Sequence, residues 1–133
     1  MTLVVDTSSL VAVVLGEADA ERHLAVLAAH AGDVHLSAAS AVELGIVVEA
    51  KQGVEATEDL HRLIALLGIT TVPFDAEQAV VAVAAWRRFG TGRHPAGLNL
   101  GDCFSYALAK LSASALLYTG EDFSQTDILS ALA

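Results

Sequence analysis

Cysteine, proline, aromatic residues and positive charge are all scarce in this chain. The single cysteine, Cys103, excludes an intrachain disulfide and a zinc site built from several thiolates, and it fits a reducing cytoplasm. The two prolines fall in connections between apolar segments. No uninterrupted apolar run approaches the roughly eighteen residues needed to span a membrane. The first residues carry no Lys or Arg, and Asp6 interrupts the stretch MTLVVDTSSLVAVVL. That segment therefore reads as part of the fold and not as a secretory signal. Internal repeats, low-complexity tracts and linkers are missing as well.

Seven Lys and Arg against sixteen Asp and Glu leave a net charge of −9, which argues against a phosphate-binding surface of the usual basic kind. The imbalance is uneven. Between Gln78 and Gly120 the only charged residues are Arg87, Arg88, Arg93, Lys110 and Asp102, so that segment carries +3 and the remainder −12. Carboxylates gathered around a divalent cation would also be neutralised or inverted in sign locally. What is abundant is Ala, Val and Leu, within a hydrophobic share of 54%. A chain of 133 residues with that composition forms one domain, able to bury about two thirds of its unfolded surface.

TLVVD reads as a short buried strand. Thr7 or Ser8 can cap a helix running to Leu15, which Gly16 ends. Residues 18–31 read as a helix, VHLS as a strand, and about 39–51 as a second long helix. Gly53 separates the latter from a helix reaching Leu67, where Gly68 supplies the stop. ITTV is a third strand, followed by a helix over 75–89. FGTGRHPAG can only be a loop. Asn99 then caps a helix over 100–111, SALLYT is a fourth strand, and DILSAL is a candidate fifth at the sheet edge. This alternation implies right-handed crossovers and a parallel sheet between helical layers. Ligands of such sheets bind beyond the carboxyl ends of the strands.

Four acids fall near that edge. Asp6 directly follows the first strand, where it competes with Thr7 and Ser8 as helix cap. Glu43 has Ala39, Ile46 and Val47 as helical neighbours, so it lies along an apolar stripe unless Ser40-Ala-Val-Glu43 forms a capping box. Asp102 lies in the first turn after Asn99, where a helix dipole favours an anion. Asp122 sits in the polar turn TGEDF, with Glu121 and Asp127 close by. Singly, each has an ordinary structural explanation. Jointly, four carboxylates at one rim could not all stay ionised without positive charge between them. A hard cation with oxygen ligands resolves that conflict.

VVDTSSLVAVVLGE, SAASAVELG, GRHPAGLNLGDCFSYALAK and LLYTGEDFSQTDI resemble, in order and spacing, segments of PIN-domain ribonucleases, specifically the VapC toxins of type II (VapBC) toxin–antitoxin systems. The resemblance covers nearly the whole chain. It implies one PIN domain over residues 1–133, with a three-layer α/β fold whose short, mostly parallel sheet of four or five strands is flanked by helices. It further implies an Mg²⁺- or Mn²⁺-dependent endoribonuclease whose acidic quartet is Asp6, Glu43, Asp102 and Asp122. Thr7 matches the small hydroxyl residue that follows the first Asp. Expected partners are an RNA substrate, a cognate VapB-like antitoxin and a second copy of the chain in a homodimer, with the cytoplasm as location and no membrane attachment.

Arg87, Arg88 and Arg93, with Lys110 as a further candidate, are the residues expected to contact RNA phosphates; otherwise they are a solvated helix end with salt bridges. Trp86 is expected to pack, Cys103 to be a buried inert thiol, and His94 with the other four histidines to be structural or exposed. Ser8 and Ser9 lack the surrounding elbow and His/Asp arrangement of a nucleophile. Two rivals remain at this stage. A receiver-like signalling module would want a phosphoacceptor Asp after the third strand and a Lys after a late one, whereas here that strand ends in Val-Pro-Phe-Asp. An inert interaction protein on the same fold would bind no metal.

Overall fold

The computed structural model describes residues 2–132. Its strands are β1 (Leu3–Val5), β2 (Val34–Ser37), β3 (Ile69–Val72) and β4 (Ala115–Leu117), and they form one sheet in the order β3-β2-β1-β4. Every pairing is parallel: Leu3 lies opposite Val34 on one side and Ala115 on the other, and Val34 lies opposite Ile69. Each crossover carries helices, namely α1 (Thr7–Leu15) and α2 (Ala20–Ala29), then α3 (Ala38–Gln52) and α4 (Val54–Leu66), then α5 (Ala76–Phe89) and α6 (Leu100–Leu111).

Side chains alternate across a strand, and the core divides accordingly. Leu3, Val5, Val34, Leu36, Ile69 and Leu117 face α1 to α4, meeting Leu10, Leu27, Leu44, Val48 and Leu60. Val4 and Leu116 face the other way, against Phe89, Leu98, Tyr106, Ala107 and Leu108 from α5, α6 and the connection between them. Four helices therefore cover one face and two cover the other, which is the expected three-layer architecture. Among the described residues, no helix is long and apolar enough to cross a membrane.

The glycine stops behave as anticipated. Gly16 ends α1 in the left-handed region, and Gly53, at φ 87°, separates α3 from α4. Two expectations fail. DILSAL does not become a fifth strand: its only ladder contact is a parallel bridge of Ser130 to Leu116, flanked by hydrogen bonds from Leu116 N to Leu129 O and from Ala131 N to Leu116 O. Just upstream, Asp127 accepts from Tyr106 Oη at 2.8 Å and Lys110 Nζ at 2.7 Å, which pulls the chain towards α6 and leaves too little extended backbone for a ladder. The second failure concerns α1, which is capped by Asp6 and not by Thr7 or Ser8. Its carboxylate accepts from Ser8 N at 3.0 Å.

His23 is fully buried, with Nδ1 2.7 Å from Ser9 Oγ. Burial holds its pKa below the ordinary value. Its other ring nitrogen, Nε2, has no hydrogen-bond partner among the described residues. Cys103 is buried too, and desolvation pushes its thiol up to about 11, which makes it the inert group expected.

Candidate functional site

The carboxyl end of β1 delivers Asp6 into a buried position, 3% exposed, beneath the start of α6. The backbone is fixed first: Asp6 N donates to Leu117 O of β4 at 2.9 Å, so two adjacent central strands hold the residue. Its two carboxylate oxygens then find different partners. Oδ2 accepts from Ser8 N at 3.0 Å and from Ser8 Oγ at 2.6 Å, while Oδ1 accepts from Ser105 Oγ at 2.5 Å across 99 residues of sequence. The Ser8 hydroxyl also accepts from Thr119 N at 3.1 Å and so fastens α1 to the segment after β4. Burial pushes the Asp6 pKa up, and the hydrogen bonds from Ser105 and Ser8 pull against that shift.

Asp102 belongs to a reciprocal cap at the start of α6. Asn99 Oδ1 accepts from Asp102 N at 2.9 Å, and Asp102 Oδ2 accepts from Asn99 N at 3.1 Å. That explains why an acid stands in the first turn, but it does not exhaust what the acid faces. Asp102 is 9% exposed, and the charges of Asp6 and Asp122 both act on it. Desolvation, followed by these two neighbours, pushes its pKa up to about 7 against the opposing pull of the Asn99 amide. Asp122 opens the 3₁₀ turn Asp122–Gln125 and is exposed to solvent.

Glu43 arrives from α3. The expected Ser40–Glu43 capping box does not form, because α3 begins earlier: Ser37 is the N-cap and Ser40 lies inside the helix. Nor does the stripe around Glu43 face the core, since Ile46 is 64% exposed. Half-buried, the Glu43 carboxylate lies against Gly101 so closely that a methyl group there would overlap both of its oxygens. The Gly-Asp pair that opens α6 therefore has two jobs. Gly101 makes room for one carboxylate while Asp102 presents another.

Asp6 and Asp122 are thus the acids whose charge Asp102 feels, and Glu43 lies beside the same helical turn. No cation balances them: the ion pairs among the described residues are Arg62–Asp59, Arg88–Asp127 and Lys110–Asp127. Among the described residues, no three acidic, His or Cys side chains form a ready ligand shell. Asp6 is held by hydrogen bonds from Ser8 and Ser105, and Asp102 by one from Asn99. An all-oxygen set crowded enough to hold one member protonated near neutrality suits a hard divalent cation. Asp6, Asp102 and Asp122 are the residues that can hold it, with Glu43 adjoining.

Of the flanking acids, Asp127 is committed elsewhere, to Tyr106, Lys110 and Arg88, and Glu121 accepts from Ser124 Oγ at 3.3 Å. Thr7 is buried, its Oγ1 donating to Ser40 O at 3.4 Å. The three arginines differ in their surroundings. Arg88 lies over the Phe89 ring and 3.7 Å from Asp127 Oδ2. Arg93 lies 4.8 Å from the Trp86 ring centroid and donates to Arg87 O, and Arg87 enters no ion pair among the described residues. Trp86, 44% exposed, is less packed than expected; it rims a cavity of about 640 Å³ lined by Phe74, Val83, Leu98, Leu100 and Phe104.

Sequence reasoning missed Ser105 and Ser40. Ser40 Oγ and Ser105 Oγ are 3.3 Å apart and both residues are fully buried. The signal for Ser105 was available, because it lies three residues after Asp102 and must share its helical face. Ser40 gave none.

Comparison with known proteins follows this geometry. The PIN domain family matches residues 3–129. Ribonuclease VapC30 of Mycobacterium tuberculosis is 47% identical over 127 residues, covering 95% of each chain. Ribonuclease VapC of Mycolicibacterium smegmatis is 44% identical over 126 residues, covering 95% of this chain and 97% of that one. Among solved structures, the sarcin-ricin loop cleaving toxin VapC20 of Mycobacterium tuberculosis superimposes with a TM-score of 0.81 over 98% of both chains at 16% identity, a likeness of fold. A toxin–antitoxin complex from Klebsiella pneumoniae gives a TM-score of 0.72 at 19% identity, over 99% of this chain and 98% of that one.

Proposed function

Because the chain belongs to the PIN-domain family, together with the VapC ribonucleases, we infer that it is an endoribonuclease toxin of a type II toxin–antitoxin pair, dependent on Mg²⁺ or Mn²⁺. One observation carries the reading beyond kinship: Asp102 feels the charges of both Asp6 and Asp122, with its pKa pushed up to about 7, and it enters no ion pair among the described residues. Such crowding of like charge is maintained at functional sites because a ligand relieves it.

Asp6, Asp102 and Asp122 would hold the ion, which requires Asp102 to give up its proton. When bound, a divalent cation supplies the positive charge that offsets the scissile phosphate and acidifies the attacking water. Ser8 and Ser105 keep the Asp6 carboxylate aimed, so little reorganisation remains when substrate arrives. Glu43, seated against Gly101, accepts a hydrogen bond from water or completes the ligand set. Arg87 and Arg93 approach RNA phosphates from the rim, and Arg88 steadies the segment after Asp122 through Asp127. No side-chain nucleophile or histidine is needed. Phosphodiester hydrolysis of this kind leaves a 5′-phosphate and a 3′-hydroxyl.

The cavity between α5 and α6 and the exposed Val83, Trp86 and Leu100 around it support a homodimer seated there, since apolar patches of this kind mark protein interfaces. A VapB-like antitoxin is the second protein partner, and the cytoplasm is the compartment. The decisive assay maps new RNA ends in total RNA treated with wild type and with Asp6→Asn, each with Mn²⁺ and with EDTA. Defined ends with wild type and Mn²⁺ alone are expected; the same ends from pure Asp6→Asn would refute the assignment.

A further inference from the structure

The face of α6 that presents Asp102 also presents Ser105, one turn further on, and this second residue is the one in contact with Asp6. Ser105 is fully buried and its Oγ lies 2.5 Å from Asp6 Oδ1. Ser105 Oγ is the donor in that bond, which commits its single proton to Asp6. Ser40 Oγ, 3.3 Å from Ser105 Oγ, must then be the donor in that pair. The chain of donation therefore runs from Ser40 on α3 through Ser105 on α6 to Asp6 at the end of β1. It links the helix that carries Glu43, the helix that carries Asp102, and Asp6 itself.

We propose that Ser105 is a positioning residue for the metal centre: its hydroxyl, backed by Ser40, fixes the rotamer of Asp6 so that Oδ1 is shared between the protein and an incoming divalent cation. The inference rests on the nuclease reading above. Ser8 cannot replace this function, because both of its bonds go to the other oxygen, Oδ2, where they also cap α1. Without Ser105, Oδ1 would lose the one side-chain donor it has among the described residues, and the carboxylate would be freer to rotate. Groups that orient metal ligands in this way typically change affinity 10–100-fold, roughly, when they are removed.

The test reads metal binding by calorimetry with Mn²⁺ on the full chain, so it does not depend on cleavage. Ser105→Ala should weaken Mn²⁺ binding about 10–100-fold while its far-ultraviolet circular dichroism stays that of wild type. Ser105→Thr, which restores the hydroxyl, should recover most of the loss, and Ser40→Ala should give a smaller one. Mn²⁺ affinity in Ser105→Ala equal to wild type, or a loss in Ser105→Thr as large as in Ser105→Ala, overturns the positioning role while leaving the nuclease reading intact. If wild type itself binds no Mn²⁺, both fall together. A Ser105→Ala protein that fails to fold shifts the decision to the threonine variant and to Ser40→Ala, where unchanged affinity in Ser40→Ala contradicts the relay.

Discussion

Removing the Asp102 charge should stabilise the metal-free protein even as it abolishes cleavage. The unfolded carboxyl titrates near 3.8 and the folded one near 7. A gap of about 3 units corresponds to roughly 4 kcal/mol of unfavourable ionisation in the folded state. Solvent at the rim and relaxation of Asp122 screen part of it, so about 2 kcal/mol is the working figure. The sign follows from proton counting. Between the two pKa values the folded chain binds more protons than the unfolded one, so stability falls as pH rises through that window.

Asp102→Asn removes this loss. It forfeits a favourable helix-dipole interaction of about 0.3–1 kcal/mol but keeps an oxygen that can accept from Asn99 N. The net gain is about 1–2 kcal/mol above pH 7, or roughly 4–8 °C in Tm for a domain of this size. Thermal melts of both proteins in EDTA across about pH 4 to 8 should therefore coincide at the acid end and diverge through the middle. Saturating Mn²⁺ should then raise the wild-type Tm and leave Asp102→Asn nearly unmoved. A variant less stable than wild type at the alkaline end, or a Tm difference that ignores pH, would refute the account of the crowded acids.

Two further outcomes are expected. Gly101→Ala should change stability by no more than about 1 kcal/mol, because alanine favours a helix while only the flexible end of Glu43 must move. Cleavage should nevertheless drop about 10–100-fold, measured on a defined RNA, and full activity would contradict the close seating of Glu43. Trp86→Ala should weaken self-association about 30-fold or more by analytical ultracentrifugation, the effect of truncating an aromatic anchor, and a monomeric wild type would end the dimer reading.

Much of the architecture was legible in the chain because its signals were redundant. Short Val- and Leu-rich runs alternate with helical stripes, and Gly16, Gly53 and Gly68 mark the ends of α1, α3 and α4 by conformations that other residues adopt at a cost. DILSAL misled because its apolar pattern is that of an edge strand, whereas a tertiary contact, Asp127 on Tyr106 and Lys110, decides where that segment goes. Ser40-x-x-Glu43 misled for a similar reason: a local capping pattern is silent about a helix that has already begun. Asp6 and Asp102 were suspected both of capping and of chemistry; both do cap their helices, and a capping role does not compete with a chemical one. A cap fixes the backbone and one oxygen, and what else the carboxylate faces is set by strands and helices far away in sequence. Ser105 stayed hidden because a serine in an apolar helix becomes informative only once its partner across the fold is known.

The placement of β1 between β2 and β4 also governs when, during synthesis, the Asp6 carboxylate can be seated. Leu3 pairs with Ala115, and the Asp6 amide waits for the Leu117 carbonyl. On a ribosome, synthesis of the intervening stretch takes roughly 6–22 s at ~5–20 residues per second. For most of that interval the nascent chain has its first acid but not the helix that grips it, and the strand that seats it comes last. A chain ended anywhere before β4 consequently lacks the Leu117 carbonyl that fixes the Asp6 backbone, and the acidic cluster is completed only when translation is nearly finished.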